Sequence, residues 1–307
     1  MQALVLGSGA GGGVPQWNCG CRNCGDKTAP VRTQSSIAVS KNNFDTCVLV
    51  NASPDFSTQV RYNHAHLHAR GLRQSPITDV ILTDSHIDHI TGLLSMREAK
   101  KLRIHCTKQV EEDISVSFNL LDVLRNYTDV ELNTIELGKP FEINNILFLG
   151  YPIQGKAPPY NPRRQLDTYE NEPGDTLALV VENKLLYAPA LEILDDSILR
   201  LMDAMNTVLI DGTCWKQDDM VSQGLGTKLS KDMGHIVMYD SLPILNKVKA
   251  PRKYFIHINN SNPVLEPQRG SYKPNDAQTA LFESDSTWQL SYDGLRLDID
   301  IDIDTDV

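Results

Sequence analysis

Four polar side chains lie within a six-residue stretch at the end of an apolar run, and this stretch constrains the fold more than any other part of the chain. The run ITDVILTD is typical of a buried strand, and the side chains are those of Asp84, His86, Asp88 and His89. The next segment, GLLSMREAKKL, has apolar residues at helical spacing. The sequence therefore predicts a strand, a loop that carries the cluster, and a helix.

The residue types in this cluster are those of a metal site, because imidazole and carboxylate groups hold zinc, iron or manganese. A loop at the carboxyl end of a strand lets several such groups converge on one point. The competing interpretation is a polar helix start, in which Asp84 or Ser85 caps the helix and both histidines are exposed. The number of ligand-type side chains exceeds what capping requires, so we predict a metal site.

A metal site on this loop needs partners from elsewhere in the chain, and three residues are candidates. His257 ends the apolar strand KYFIHI, Asp211 ends TVLID beside a glycine turn, and His235 lies in DMGHI. A carboxylate near an imidazole can shuttle protons, because it orients and tunes the ring. Taken alone, His257 is more typical of a hydrogen-bonded strand end, and Asp211 is as typical of a turn.

A second candidate metal site is the segment WNCGCRNCG, which contains Cys19, Cys21 and Cys24. The C-x-C-x-x-C spacing lets one tight turn present three thiolates to a structural zinc ion. A redox role is the alternative, but redox C-x-x-C pairs usually open a helix. A closed zinc site needs a fourth ligand from elsewhere, and Asn260 is a candidate only by its position after His257.

The glycine-rich segment GSGAGGG follows a strand-like run and contains G-x-G-x-x-G at Gly7, Gly9 and Gly12. A dinucleotide site would also need a following helix and, after a second strand, an acidic residue about twenty positions on. Pro15 and the cysteines follow instead, so we interpret the glycines as close-packed backbone.

Composition limits the partners and the compartment. The chain has 307 residues, 41% of them hydrophobic and 22% charged, which is typical of a well-cored soluble protein. Its net charge of −10 argues against nucleic acid as a partner. The absence of an 18-residue apolar run argues against a membrane span. The N-terminus lacks a basic signal-peptide region, so we expect a cytoplasmic protein with reduced thiols.

The strand-like and helical segments fit one domain. We predict a single domain over 1–297, with the cysteine element at 19–24, and no internal repeat is visible. A Pro-rich excursion over 155–175 is too long for a bare connection, and such loops are often lids or substrate walls. The acidic segment 298–307 alternates strictly, so it either extends a last strand or is a solvated terminus.

The order of these motifs resembles that of the metallo-β-lactamase superfamily. Within it, the chain is most similar to the family of pyrroloquinoline quinone (PQQ) biosynthesis B proteins. The similar segments are GSGAGGGVPQWNCGCRNC, RTQSSIAVS, NASPDF, TGLLSMRE, DGTCWKQDDM, GLGTKLSKDMGH and HINNSNPVL. The resemblance implies an α/β (α+β) fold, the metallo-β-lactamase-like αββα four-layer sandwich, with the metal at one sheet edge.

The resemblance also assigns metal positions. The superfamily motif H-x-H-x-D-H begins at Asp84, and its first metal position uses the first two histidines and a later one near GYPIQGKAPPY, where no histidine is found. The bridging carboxylate is expected near LLYAPA, where Pro189 and Ala190 stand. The second position uses Asp88, His89 and a final histidine, here His257. This favours one metal held by two histidines and one carboxylate.

Such a ligand set is also that of non-haem iron oxygenases. The resemblance implies Fe(II)-dependent hydroxylation, with dioxygen, of the tyrosine ring in a peptide-derived substrate, a cross-linked glutamate–tyrosine diamino acid on the route to PQQ. Asp211 and His235 are then expected to handle protons, and His86 to be an extra ligand or a substrate contact. Other PQQ-pathway proteins are possible partners. In the excursion, Arg163 and Arg164 either meet substrate carboxylates or are solvated.

Two alternatives remain open from the sequence. A metal-dependent hydrolase or phosphodiesterase of the same superfamily also has residues like Asp211 and His235 before His257. Such enzymes typically keep two metals, because a bridging hydroxide attacks the phosphorus. A non-catalytic carrier of the quinone would keep the pocket without needing a redox metal.

Overall fold

Two mixed β-sheets form the centre of the structure. The structure is a computed structural model, and it describes residues 1–166, 168–266, 275–283 and 286–300. The strands are Gln2–Gly7 (β1), Ser36–Ser40 (β2), Cys47–Val50 (β3), Ile77–Ile81 (β4), Lys101–Cys106 (β5), Asp129–Thr134 (β6), Pro140–Ile143 (β7), Ile146–Pro152 (β8), Leu177–Val181 (β9), Leu185–Ala188 (β10), Thr207–Asp211 (β11), Arg252–Ile256 (β12), Trp288–Leu290 (β13) and Arg296–Asp298 (β14). Within the described residues, each sheet has seven strands, in the orders β14-β1-β2-β3-β4-β5-β6 and β13-β12-β11-β10-β9-β8-β7.

Short helices cover the outer face of each sheet. They are Arg22–Gly25 (α1), Phe56–Tyr62 (α2), His64–Leu67 (α3), Ile87–Ile90 (α4), Lys108–Glu112 (α5), Leu120–Arg125 (α6), Asp196–Asp203 (α7), Asp219–Ser222 (α8), Ser230–Met233 (α9), Met238–Leu245 (α10) and Asp276–Gln278 (α11). Turns of 3-10 helix span Thr91–Met96, Pro162–Gln165 and Pro263–Leu265, and π-helical turns span Asp113–Ser117 and Thr279–Glu283. No helix in the described part of the chain is long and apolar enough to cross a membrane.

The central strands, such as β1, β3, β9 and β10, are apolar on both faces because the middle of each sheet is buried on both sides. In β1, Ala3 and Val5 pack between the sheets, whereas Leu4 packs under the outer helices. In β9, Leu179 faces the inter-sheet core and Val180 faces the helices α7 and α10. The αββα sandwich predicted from the resemblance is therefore confirmed.

The segment after the polar cluster differs in detail from the predicted helix. The chain forms only α4 and then a 3-10 turn. The cause is a close approach of two backbones: Gly92 donates to the carbonyl of Ala52 at 2.8 Å, and a Cβ at Gly92 would collide with the carbonyl of Ser53. This contact presses the cluster loop against the NASPD turn.

The acidic C-terminal segment begins inside the first sheet. Asp298 ends β14 and pairs with Gln2 of β1, and Ile299 is fully buried. Residues 301–307 lie outside the described part of the chain. In the described part of the Pro-rich excursion, which leaves out residue 167, the one helical element is the 3-10 turn at Pro162–Gln165.

Candidate metal centre

The cluster loop is held in place by the NASPD turn. The side chain of Asn51 donates to Thr83 Oγ1 at 2.9 Å and accepts from the Thr83 amide at 2.9 Å. The Ala52 amide donates to the carbonyl of His89 at 2.7 Å. These bonds fix the backbone on both sides of the cluster, so the loop leaves β4 in one conformation.

The structure brings together the three residues expected to hold the catalytic metal. One ligand atom from each of Asp88, His89 and His257 lies within 4.8 Å of the other two. His257 Nε2 is 3.1 Å from Asp88 Oδ2, and His89 Nε2 is 4.0 Å from the same oxygen. Asp88 follows β4 in the first sheet, and His257 follows β12 in the second. The site therefore lies where the two sheet edges meet.

A buried nitrogen without a partner shows that this set fits a metal ion. His89 is 1% exposed, and its Nε2 atom has no hydrogen-bond partner. Its other nitrogen, Nδ1, lies 2.7 Å from Asp84 Oδ2 and 2.8 Å from Oδ1, so Nδ1 donates to this carboxylate. Asp84 thus fixes the tautomer that leaves the Nε2 lone pair free, which is the usual arrangement for a metal-bound histidine.

The carboxylates around His89 favour its protonated, positively charged form. Burial lowers the pKa of His89, but the negative charges of Asp84 and Asp88 outweigh burial and raise this pKa to about 9. Burial raises the pKa of Asp84, but His89 and His86 hold it well below its usual value. A metal ion would have to displace the His89 proton. The two carboxylates therefore provide a site for positive charge.

Asp211 and His235 are the second group predicted from the sequence. The hydroxyl group of Thr213 links Asp211 to His257. Thr213 Oγ1 donates to Asp211 Oδ1 at 2.6 Å and lies 2.9 Å from His257 Nδ1. His257 Nδ1 can then donate to Thr213, which leaves Nε2 to face Asp88. His235 Nδ1 donates to Asp211 Oδ2 at 2.6 Å.

Asp211 is saturated by hydrogen bonds. Besides these partners, its oxygens accept from the amides of Leu191 at 3.0 Å and Thr213 at 2.9 Å. One ligand atom from each of Asp211, His235 and His257 also lies within metal-binding distance of the others, but these contacts leave Asp211 little capacity for a cation. They support its expected role beside the ligands. Thr213 was not among the residues predicted from the sequence, although its position in the DGT segment, two residues after Asp211, could have indicated it.

The first metal position of the superfamily is closed by small and uncharged groups. Ala190 lines the cleft where the bridging carboxylate was expected. Gly155 lies in the segment expected to supply the later histidine, and a Cβ there would collide with Thr176 Oγ1. His86 lies at the cleft mouth, 26% exposed, with Nδ1 3.2 Å from Asp84 Oδ1. It lies outside both candidate ligand sets in the described part of the chain.

The three cysteines of the N-terminal element also converge. Their sulfur atoms lie within 4.8 Å of one another around α1. Asn260 Nδ2 is 3.4 Å from Cys24 Sγ, and the Asn260 carbonyl is 3.5 Å from Cys21 Sγ. The structure thus places Asn260, the candidate by position, beside three thiols. Since Asn260 follows His257 by three residues, the cysteine element lies beside the loop that follows His257.

The glycine turn packs against both elements. The Ala10 amide donates to the carbonyl of Ile258 at 3.0 Å, and an ideal Cβ at Gly11 would lie 3.3 Å from Asp88 Oδ2. The turn therefore supports Asp88 and the segment after His257 through close backbone approach, as interpreted from the sequence.

Comparison with known proteins agrees with this geometry. The model of the β-lactamase superfamily domain matches residues 46–258. The coenzyme PQQ synthesis protein B of Acinetobacter baumannii (strain ACICU) is 40% identical over 316 residues, with 97% of this chain and 100% of that protein covered. The crystal structure of zinc-bound PqqB from Methylobacterium extorquens has a TM-score of 0.85 at 35% identity, and covers 97% of this chain and 100% of its own.

A more distant structure supports the fold alone. A diphosphatase of the PhnP family has a TM-score of 0.67 at 19% identity, with 97% of each chain covered. The two PQQ synthesis relatives, by contrast, are at least 35% identical and cover 97% of this chain. The chain therefore belongs to the coenzyme PQQ synthesis protein B family of the β-lactamase superfamily.

Proposed function

We propose that this protein acts in PQQ biosynthesis as an iron-dependent hydroxylase of the tyrosine ring in a cross-linked glutamate–tyrosine diamino acid. Membership of the coenzyme PQQ synthesis protein B family supports the role in the pathway. The ring hydroxylation is the finer part of the proposal. It follows the resemblance and is compatible with the ligand set.

The observation that carries the proposal is the unpartnered Nε2 of His89 beside Asp88 and His257. Two imidazoles and one carboxylate hold one metal and leave open coordination positions. The first metal position has Gly155 and Ala190 in the segments where a histidine and a carboxylate were expected, which disfavours the two-metal chemistry of phosphodiesterases. The zinc in the Methylobacterium extorquens homologue supports metal binding in this family.

Bound Fe(II) would supply the redox chemistry that activates dioxygen towards an aromatic ring. For each hydroxyl group, one oxygen atom of dioxygen enters a ring C–H bond and the other leaves as water. Two electrons come from a reductant and two protons from solvent. The substrate and dioxygen are the small-molecule partners, and other PQQ-pathway proteins are further partners in this proposal.

The protein residues orient the ligands and handle protons. Asp84 keeps His89 Nε2 directed at the centre, and Thr213 does the same for His257. His235 is hydrogen-bonded to Asp211 and lines the cleft, so it can pass a proton between the substrate and this carboxylate. His86 lines the mouth of the cleft and is placed to contact the substrate.

The test is a reaction of the Fe(II)-loaded full chain with the diamino acid, ascorbate as the two-electron reductant and isotopically labelled dioxygen. We expect the label in a hydroxylated ring, and we expect His257→Ala to abolish it. The matched control is His64→Ala, an exposed histidine on α3, which should react like the wild type.

Two results would contradict the proposal. Release of nitrophenol from a bis-aryl phosphodiester at a normal enzymatic rate, without hydroxylation, would support the hydrolase. Tight binding of the quinone with no chemistry on the diamino acid, in the iron-loaded protein, would support the carrier.

A further inference from the structure

A small cleft of about 40 Å³ opens onto the candidate metal centre. Thr176 and Lys156 line this cleft on the side of the closed first metal position and have no role in holding a metal. His86 faces the same cleft. All three side chains carry hydrogen-bond donors, so this wall differs in chemistry from the carboxylates on the metal side.

Thr176 has a buried hydroxyl group without a partner. The residue is 1% exposed, and its Oγ1 atom makes no hydrogen bond. Its backbone is fixed, because it bridges to Asp84 and the next amide, that of Leu177, donates to the Thr83 carbonyl at 2.9 Å. A buried hydroxyl left unpaired costs free energy. A ligand oxygen in the cleft would remove this cost.

Lys156 brings a positive charge to the same wall. Its Nζ atom donates to the Lys231 carbonyl at 2.5 Å and lies 3.4 Å from Glu192 Oε1. Its side chain packs over Gly234, where an ideal Cβ would lie 3.2 Å from Lys156 Cγ. These two contacts use two of the three ammonium protons, and one donor remains. The lysine is thus held at the cleft.

Lys156 also lines a second, larger cavity. This second cavity, of about 670 Å³, is walled by the Pro-rich excursion. In it the Arg164 guanidinium lies 4.9 Å from the ring centre of Tyr169. Arg163, by contrast, is paired with Asp175 at 2.5 Å and Glu172 at 3.1 Å, so it holds the excursion together.

The second cavity also carries acidic groups. Glu170, Glu172 and Asp195 line it. Glu172 is paired with Arg163, and Asp195 accepts from the amides of Ser197 and Ile198 at the start of α7. A cavity with both signs of charge suits a zwitterionic ligand of the amino-acid type better than a simple anion.

We propose that Lys156 and Thr176 form a carboxylate subsite, which holds one acidic group of an amino-acid-type substrate in the cleft beside the metal. The site rests on the proposed function only for the identity of the substrate. The small cleft suits a group of a few atoms, such as one carboxylate. A carboxylate accepts from both donors and satisfies the Thr176 hydroxyl.

The experiment measures binding without turnover. The zinc-loaded full chain is titrated with two probes that share a phenol ring, para-hydroxyphenylpropionate and para-ethylphenol, of which only the first carries a carboxylate. We expect the carboxylate probe to bind at least about tenfold more tightly, the effect of one hydrogen bond to a charged group. Thr176→Val and Lys156→Met should each remove most of this preference, and Thr176→Ser should keep it.

Two controls match the variants in chemistry. Thr207→Val removes another buried and unpartnered hydroxyl, at the start of β11. Lys139→Met removes an exposed ammonium group. Both should bind the probes as the wild type does. Two outcomes would overturn the subsite, even if the diamino acid is hydroxylated. One is equal affinity of the wild type for the two probes. The other is an unchanged preference for the carboxylate probe in Thr176→Val and Lys156→Met. A lost preference in these variants supports the subsite even if hydroxylation fails.

Discussion

Asp88 and His257 are 169 positions apart in the sequence, yet Asp88 Oδ2 lies 3.1 Å from His257 Nε2. Asp88 follows a strand of one sheet, and His257 follows a strand of the other. Their contact therefore exists only when the two sheets pack face to face. Metal binding at this centre is consequently coupled to the tertiary fold, because the unfolded chain does not bring the ligands together.

The closed first metal position gives a prediction for Asp84→His, the substitution that restores the H-x-H-x-D-H motif. We expect it to create no second catalytic metal, because Gly155 and Ala190 still stand in the segments where further ligands would be needed. We also expect weaker metal binding at the centre formed by Asp88, His89 and His257, because His89 loses its carboxylate partner. Metal analysis after dialysis should give no more than one catalytic metal per chain. A second equivalent would show that the motif alone decides the stoichiometry.

Asp84 itself should control metal affinity without being a ligand. Asp84→Asn keeps the shape but loses the charge that orients the His89 ring. The loss of such a partner typically weakens metal binding by about 10–100-fold, and we expect an effect of this size in competition with a chelator. Asp122→Asn, at an exposed carboxylate on α6, should have no effect. Equal affinity in the two variants would show that Asp84 does not orient the ligand.

The cysteine element should stabilise the loop after His257. Asn23 is 4% exposed, and its amide donates to the carbonyls of Asn260 at 2.8 Å and Asn262 at 2.9 Å. Asn23→Ala removes a buried donor from both carbonyls, which keep only the Cys21 thiol and the Leu265 amide as partners, so unfolding should become easier by about 1 kcal/mol. Denaturant titration measures this, with Asn126→Ala on the surface as the control. No change in stability would show that the loop is held by other contacts.

Cys21→Ala tests the predicted structural zinc. Its loss leaves two thiols near Asn260, so we expect lower stability and a lower zinc content, while the catalytic ligands stay in place. Zinc analysis and a melting curve check this. Unchanged zinc content would contradict a closed cysteine site.

A pH effect is expected from Asp79, far from the metal centre. Burial raises its pKa, but hydrogen bonds from His105 at 2.8 Å and Arg103 at 3.0 Å outweigh burial and lower the pKa to about 2. A lowered carboxyl pKa stabilises the fold above the unfolded value of about 4, and this stabilisation is lost as the pH falls towards 2. Because Arg103 is partly exposed, we expect about 1 kcal/mol.

The measurement compares the wild type with Asp79→Asn by denaturant titration across this range. The difference in unfolding free energy should be constant near neutral pH and shrink as the pH falls from about 4 to about 2. A difference that grows on acidification would mean that the Asp79 pKa is raised in the folded protein.

Much of the site was predicted from local pattern. The D-x-H-x-D-H stretch after an apolar strand indicated a metal loop, and the C-x-C-x-x-C spacing indicated a thiolate turn. The resemblance added the fold, which is confirmed, and selected His257. Such predictions can be made from the sequence because strand ends and short spacings are local properties of the chain.

Other parts of the site could not be predicted from sequence patterns. Thr213, Thr176 and Lys156 are common residue types at unremarkable spacings, and only their contacts give them a role. The helix after the cluster was predicted too long, because the contact of Gly92 with the NASPD turn is a tertiary effect.

The sequence by itself determined which residues can hold a metal and the order of strands that carries them. Only the tertiary structure brings Asp88, His89 and His257 within a few ångströms of one another, places the Asp84 carboxylate against His89 Nδ1, and packs Thr176 against Gly155. The physical reason is distance: a ligand set needs atoms a few ångströms apart. The packing of two sheets, rather than any local propensity, sets those distances.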